Sequence, residues 1–153
     1  GGIVVALYKK DGVEHGLITS LVDLDTTGLS WSNIGDKLCG ATSQIDGQAN
    51  TIKIMSQSGH TTSAAKICDS YSYGGFTDWY LPAQNELLSC LNASFIINSI
   101  LGSNGFKFKS INDGYYWSST EVGTITAGTG SSWIAKSPEM GTAKPFVRAV
   151  RKF

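Results

Sequence analysis

Two histidines, His15 and His60, stand in a chain rich in serine and aspartate, the raw material of a nucleophile–base–acid triad. A serine hydrolase presents its nucleophile on a tight Gly-x-Ser-x-Gly elbow beside the base, and the chain has no such elbow. Both histidines therefore read as ordinary loop or strand residues. Gly123, Gly128 and Gly130 suggest a loop that cradles phosphate, but no helix is expected after them and no Gly-Lys-Ser or Gly-Lys-Thr completes the site. The acidic residues do not fall into a loop of alternating oxygen ligands, which leaves at most a scattered structural calcium. Cys39, Cys68 and Cys90 are too widely spaced for a zinc ribbon or a redox pair. Three thiols allow at most one internal disulfide; a Cys39–Cys68 bridge competes with the usual buried free thiol, and Cys90 reads as core. Lys107 and Lys109 beside Phe106 and Phe108 imitate an aromatic-basic strip for nucleic acid, yet the patch is small and reads as a solvated edge. No catalytic residue, metal or cofactor is assigned.

The balance of charge supports that reading. The chain has 153 residues, with 12 lysines plus arginines against 12 aspartates plus glutamates, so no net field draws it to nucleic acid or to an anionic membrane. The apolar stretches Gly2 to Leu7 and Phe95 to Leu101 fall far short of the roughly 20 residues that cross a bilayer, so no direct membrane insertion is expected. The length fits one domain over 1–153 with a real core. A first residue that is not methionine, followed at once by a strand-like run, reads as the processed product of a longer precursor. Abundant Gly, Ser and Thr lean towards an exported, loop-rich binding domain.

Ile3 to Tyr8 and His15 to Val22 flank a Lys-Lys-Asp-Gly turn and read as a β-hairpin, since Asp11-Gly12 supplies the positive φ of a tight turn. Asp46 to Gln57 reads as a helix, with Ile45, Ala49, Ile52 and Met55 at helical spacing and Asp46 as cap. A second helix is expected from Ser63, with Ala64, Ile67, Cys68 and Tyr71 inward and Tyr73-Gly74-Gly75 as its end. Pro82 suits a helix's first turn, so Ala83 to Leu91 is a third helix and Ser94 to Leu101 a short fourth. From Tyr115 onward, the runs Tyr115 to Ser119, Ser132 to Lys136 and Phe146 to Arg151 read as strands between turn residues. Strands at both ends around a helical middle predict a mixed α+β domain whose terminal strands pair.

Gly75 to Pro82 is dense in aromatic residues just before a helix start and reads as a corner where rings seal the core, with Asp78 bonding nearby amides. Tyr116 to Glu121 reads likewise, with Trp117 inward and the small hydroxyl residues satisfying loop amides. These segments, with Gly1-Gly2-Ile3-Val4-Val5, His15-Gly16-Leu17-Ile18 and Val147-Arg148-Ala149-Val150-Arg151, carry a resemblance that runs the length of the chain. The sequence resembles the C-terminal domain family of the collagen-like bacterial adhesin Lcl.

That resemblance implies a C-type-lectin-like fold, shared with formylglycine-generating enzymes and with retroelement-diversified variable proteins of phages and gut bacteria. It implies recognition of a protein or glycan receptor on a cell surface, and an extracellular location on a bacterial surface or a virion. In the diversified proteins the variable residues lie between a Trp-Ser-Ser-Thr-Glu-like strand and the final Val-Arg strand, which maps onto Val122 to Phe146 here. The ligand-binding candidates are Val122, Thr124, Ile125, Thr126, Thr129, Ser131, Ser132, Ala135, Ser137, Glu139, Met140, Thr142 and Lys144. Trp133 is expected as a core anchor within that stretch. Loops carried by a rigid scaffold can vary without unfolding it, which suits this placement. An alternative for the stretch is an ordinary β-meander. A separate alternative for the whole domain is a structural or trimerising tip of a surface or phage tail fibre, which would make it a homotrimer. The Glu-Pro-Asn, Gln-Pro-Asp and Trp-Asn-Asp signatures of calcium-dependent lectins are absent, and no cysteine follows Cys90 to match those of the formylglycine-generating enzymes. Adhesin relatives hold sulfated polysaccharides on basic surfaces, for which a neutral chain offers less long-range attraction.

Overall fold

A computed structural model describes residues 1–101, 108, 115–123, 126–129, 133–135 and 145–153. Among the described residues the chain is mixed α+β, with three helices and two three-stranded antiparallel sheets. Strands β1 (Ile3–Lys10) and β2 (Val13–Thr19) form the expected hairpin. Its two-residue turn has Asp11 at φ 53° and Gly12 at φ 80°, the double positive φ that matches the twist of the flanking strands. Strand β6 (Val150–Lys152) pairs with β2 through Leu17–Lys152, Ile18–Arg151 and Thr19–Val150, giving the order β1-β2-β6. The first and last strands therefore share one sheet, but they flank β2 instead of pairing with each other as expected. The second sheet has the order β3 (Trp117–Glu121), β4 (Thr126–Thr129), β5 (Trp133–Ala135).

Helix α1 spans Gly47–Met55, with the Asp46 carboxylate accepting from the Ala49 amide at 3.0 Å. Its buried face is only in part the expected one, for Ala49 and Met55 are half-buried and Met55 packs against the core. Ile45 and Ile52 are exposed, whereas Gly47, Asn50, Thr51 and Ile54 are buried. Backbone proximity and hydrogen bonding override the apolar spacing: a Cβ on Gly47 would lie 2.5 Å from the Ala83 nitrogen and the Leu81 oxygen. Thr51 Oγ1 accepts from the Leu81 amide at 3.1 Å, and the Asn50 amide group bonds both main-chain groups of Ser43 at 3.1 and 2.7 Å.

Helix α2 spans Ala64–Asp69, capped by Ser63, whose hydroxyl accepts from Lys66 at 2.8 Å. It stops at Ser70, earlier than Tyr73-Gly74-Gly75; that triplet instead builds a tight turn closed by Tyr73–Phe76 bonds, with Gly74 and Gly75 both at positive φ. The expected third and fourth helices are one, α3 (Gln84–Leu101). Nothing between Leu91 and Ser94 breaks a helix, and the hydroxyls of Ser89 and Ser99 bond the carbonyls one turn back. None of the described helices is long and apolar enough to cross a membrane.

Two apolar cores share a wall made of the three motif segments. Extended backbone points alternate side chains to opposite faces, so Trp79, Leu81, Trp117, Val147 and Ala149 enter one core while Tyr80, Tyr116 and Val150 enter the other. Tyr80 and Val150 exchange main-chain bonds at 2.8 and 3.0 Å, which ties the wall together. Phe108 lies in the second core, its ring 5.6 Å from Tyr116, so it is no part of a solvated edge; Phe106, Lys107 and Lys109 lie outside the described residues. The ring-sealed corner and the inward Trp117 are as expected. Asp78 differs: its carboxylate grips Arg151 at 2.7 and 2.9 Å. All three cysteines are free thiols, so Cys39 and Cys68 are unbridged, and Cys90 is core.

Candidate functional site

Strand β3 is buried at all five positions and is held from three sides. Trp31 Nε1 donates to the Ser118 carbonyl at 2.8 Å, and Trp117 Nε1 donates to the Leu29 carbonyl at 2.8 Å. The Ser119 amide donates to Pro82 O and the Glu121 amide to Ala41 O, each at 2.7 Å. Thr120 Oγ1 accepts from the Gln84 amide at 3.0 Å and donates to Ser43 O at 2.8 Å, capping α3 in the process. The buried Glu121 carboxylate accepts from the amides of Cys39 at 3.0 and 3.1 Å and of Gly40 at 2.8 Å. The loop amides are thus satisfied by the Glu121 carboxylate, whereas the hydroxyls expected in that role bond elsewhere, Thr120 to the first amide of α3 and Ser118 to the Thr120 amide.

The chain leaves this frame at Val122 and returns beside its start. Phe146 and Tyr116 are bridged in parallel: the Trp117 amide donates to Phe146 O at 3.0 Å, and the Phe146 amide donates to Tyr115 O at 2.7 Å. Past Phe146, the Val147 carbonyl accepts from Leu24 and the Val147 amide donates to Asp25 O. Arg148 meets Asp23 at 2.6 Å with both side chains buried, and its guanidinium lies 3.9 Å from the centre of the Phe108 ring. Asp25, next along that loop, is pushed upward by burial, but bonds from Leu29, Thr27 and Gly28 outweigh this and hold its carboxyl below the usual range. Both ends of the excursion are therefore fixed by buried polar contacts.

Four of the thirteen ligand-binding candidates fall on described residues. Val122 is exposed, immediately beyond the buried Glu121. Thr126 is half-buried and faces Val122 and Gly123 across a tight turn, its carbonyl accepting from both amides at 3.2 Å. Ala135 pairs with Thr126 across β4 and β5, and Thr129 pairs with Trp117. The backbones of Val122, Thr126 and Ala135 are thereby brought together at the turn between β3 and β4, while Thr129 pairs at the Trp117 end of the sheet. Thr124, Ile125, Ser131, Ser132, Ser137, Glu139, Met140, Thr142 and Lys144 lie outside the described residues, as does the Trp133 side chain.

The other groups capable of chemistry are dispersed. His60 Nε2 sits 2.9 Å from Ser63 Oγ, but that hydroxyl is the buried cap of α2. Burial and the nearby Lys66 push the His60 imidazole below its ordinary value. His15 stacks on Tyr8 at 5.5 Å. Burial drives the Cys68 thiol well up and the Cys90 thiol up to about 12, so neither is a ready nucleophile. No cluster of three metal-ligating side chains occurs among the described residues.

One concave feature was not visible in the sequence. A groove of about 370 Å³ opens beside the first sheet and the start of α3, lined by Ala6, Tyr8, Leu17 and Lys152 of the sheet, Asn85, Glu86 and Ser89 of α3, and Ile45. Its acid and base are spent on each other and on structure. Glu86 takes the Lys152 ammonium at 2.8 Å, the Tyr80 hydroxyl at 3.1 Å and the amides of Ala83 and Gly47 at 2.8 and 3.1 Å. Burial, then the Glu86 carboxylate, pushes the Tyr80 phenol upward. Five segments, β1, β2, the stretch before α1, α3 and β6, build this groove, so no local pattern announces it. Comparison of the chain with protein-family models, with curated proteins and with solved structures finds no match.

Proposed function

We propose that this domain works by binding rather than by catalysis, as an extracellular recognition domain of C-type-lectin-like fold akin to the C-terminal domains of collagen-like bacterial adhesins. Its partner is a protein or glycan receptor on a cell surface, and its binding face is the segment Val122 to Phe146. The observation that carries this reading is the clamped excursion: the chain departs from a fully buried β3 at Val122 and returns at Phe146, which is bonded to Tyr115 and Trp117. A segment whose two ends are fixed by a rigid frame can change its side chains without altering the core, the property a recognition surface needs. Dispersed histidines, raised thiols and a mutually neutralised Glu86–Lys152 pair favour binding over catalysis.

The test is a screen of the labelled domain on arrays of neutral and sulfated glycans and of bacterial and host surface proteins. Saturable binding that a soluble copy of the same ligand competes away is the expected result; no saturable binding on any array contradicts the proposal. Retroelement diversification, a further part of it, is read from the encoding locus. A neighbouring reverse transcriptase and a near-repeat of the 122–146 coding segment that differs at adenines would establish it, and the lack of both would make this a constant domain.

A further inference from the structure

We infer that the open edge of β1 is a self-pairing surface, and that two copies of this domain associate by antiparallel addition of β1 to β1, forming a closed two-fold dimer. Among the described residues strand β1 has a partner on one side only: it bonds β2, and none of its remaining main-chain groups meets another described residue. The opposite edge of that sheet is closed, because Val150 of β6 exchanges two main-chain bonds with Tyr80. One open edge per sheet allows a closed pair but not a growing ladder.

The edge is also chemically suited to its own copy. Ile3-Val4-Val5-Ala6-Leu7-Tyr8 contains no charge and no proline, two of the features that blunt an edge. Val4, Leu7 and Tyr8 are 49%, 60% and 47% exposed. The nearby cations, Lys9 and Lys10, sit at one end of the strand. In an antiparallel pair of Ile3–Tyr8 with itself, the lysines of the two copies lie at opposite ends, about 20 Å apart at roughly 3.3 Å per residue. That exceeds the screening length of about 8 Å at physiological salt, so the pairing keeps the lysines of the two copies apart. A parallel pair would stack lysine on lysine. The irregularity at Val5, between Val4 and Ala6, interrupts the ladder midway and keeps the association weak and concentration-dependent.

Sedimentation velocity on the whole domain from about 10 μM to about 1 mM tests this, a range that covers weak association. The expected result is a monomer at the low end and a dimer at the high end. Val4→Lys and Leu7→Lys each weaken association at least tenfold with the melting temperature nearly unchanged. Hydrogen exchange on the unsubstituted protein, independent of any variant's folding, is expected to show protection of Ile3–Tyr8 amides rising with concentration. A wild-type protein that stays monomeric throughout, a trimer, or a dimer indifferent to both lysines would overturn the inference.

Discussion

Replacing Asp23 by alanine removes the carboxylate that lies 2.6 Å from a guanidinium only 2% exposed, and takes away the acceptor of the Tyr116 hydroxyl at 3.2 Å. Breaking a buried ion pair from one side costs about 3–5 kcal/mol, because the remaining charge keeps its desolvation penalty and loses this partner. At roughly 2–4 °C per kcal/mol for a domain of this size, Asp23→Ala should lower the melting temperature by about 10 °C. Removing both charges with hydrophobic residues of similar volume, as in Asp23→Leu with Arg148→Met, should recover much of the loss, since neither side chain then pays to leave water. The guanidinium also lies over the Phe108 ring, and a methionine side chain preserves that packing. Chemical denaturation of Asp23→Leu, Arg148→Met and the double variant gives the coupling energy directly. Additive effects, or an Asp23→Ala cost below about 1 kcal/mol, would refute the view that this pair fixes the returning end of the excursion.

Other substitutions probe the frame from different sides. Gly47→Ala should destabilise by about 2 kcal/mol or more in urea titration, despite alanine's better helix propensity, because its Cβ would meet the Ala83 nitrogen and Leu81 oxygen at 2.5 Å. The hydrogen bond from Arg151 holds the Asp78 carboxyl below the ordinary aspartate value of 3.8. This contribution is complete above that value and is lost as pH falls through the lower folded-state value, so Arg151→Met should flatten the stability–pH curve below about pH 4 in acid denaturation. A maleimide should label the half-buried Cys39 first, and Cys68 and Cys90 only on unfolding, as read by mass spectrometry of tryptic peptides.

Local chemistry was legible in the sequence wherever a single segment determines it. Asp11-Gly12 announces its turn, Asp46 and Ser63 their caps, and the aromatic corner before Pro82 its burial. Long-range partners were not legible. Asp78 looks like a loop cap until Arg151, more than 70 residues away, arrives beside it. The apolar spacing of α1 points to Ile45 and Ile52, yet Asn50 and Thr51 win the buried face through bonds to Ser43 and Leu81. A sequence pattern counts side-chain polarity, whereas burial also follows from which backbone groups need partners. The candidate site was legible as a segment, through the motifs that flank it, and the frame that clamps it emerges from pairings such as Tyr116–Phe146.

The most direct measurement of whether Val122 to Phe146 is a recognition face is paired binding and melting on one combined variant. It carries alanine at Val122, Thr124, Ile125, Thr126, Thr129, Ser131, Ser132, Ser137, Glu139, Met140, Thr142 and Lys144, assayed on the ligand retained in the array screen. Loss of binding with the melting temperature nearly unchanged is the predicted result. Unchanged binding would contradict the placement of the face, and loss of binding accompanied by unfolding would contradict the claim that the frame stands without it.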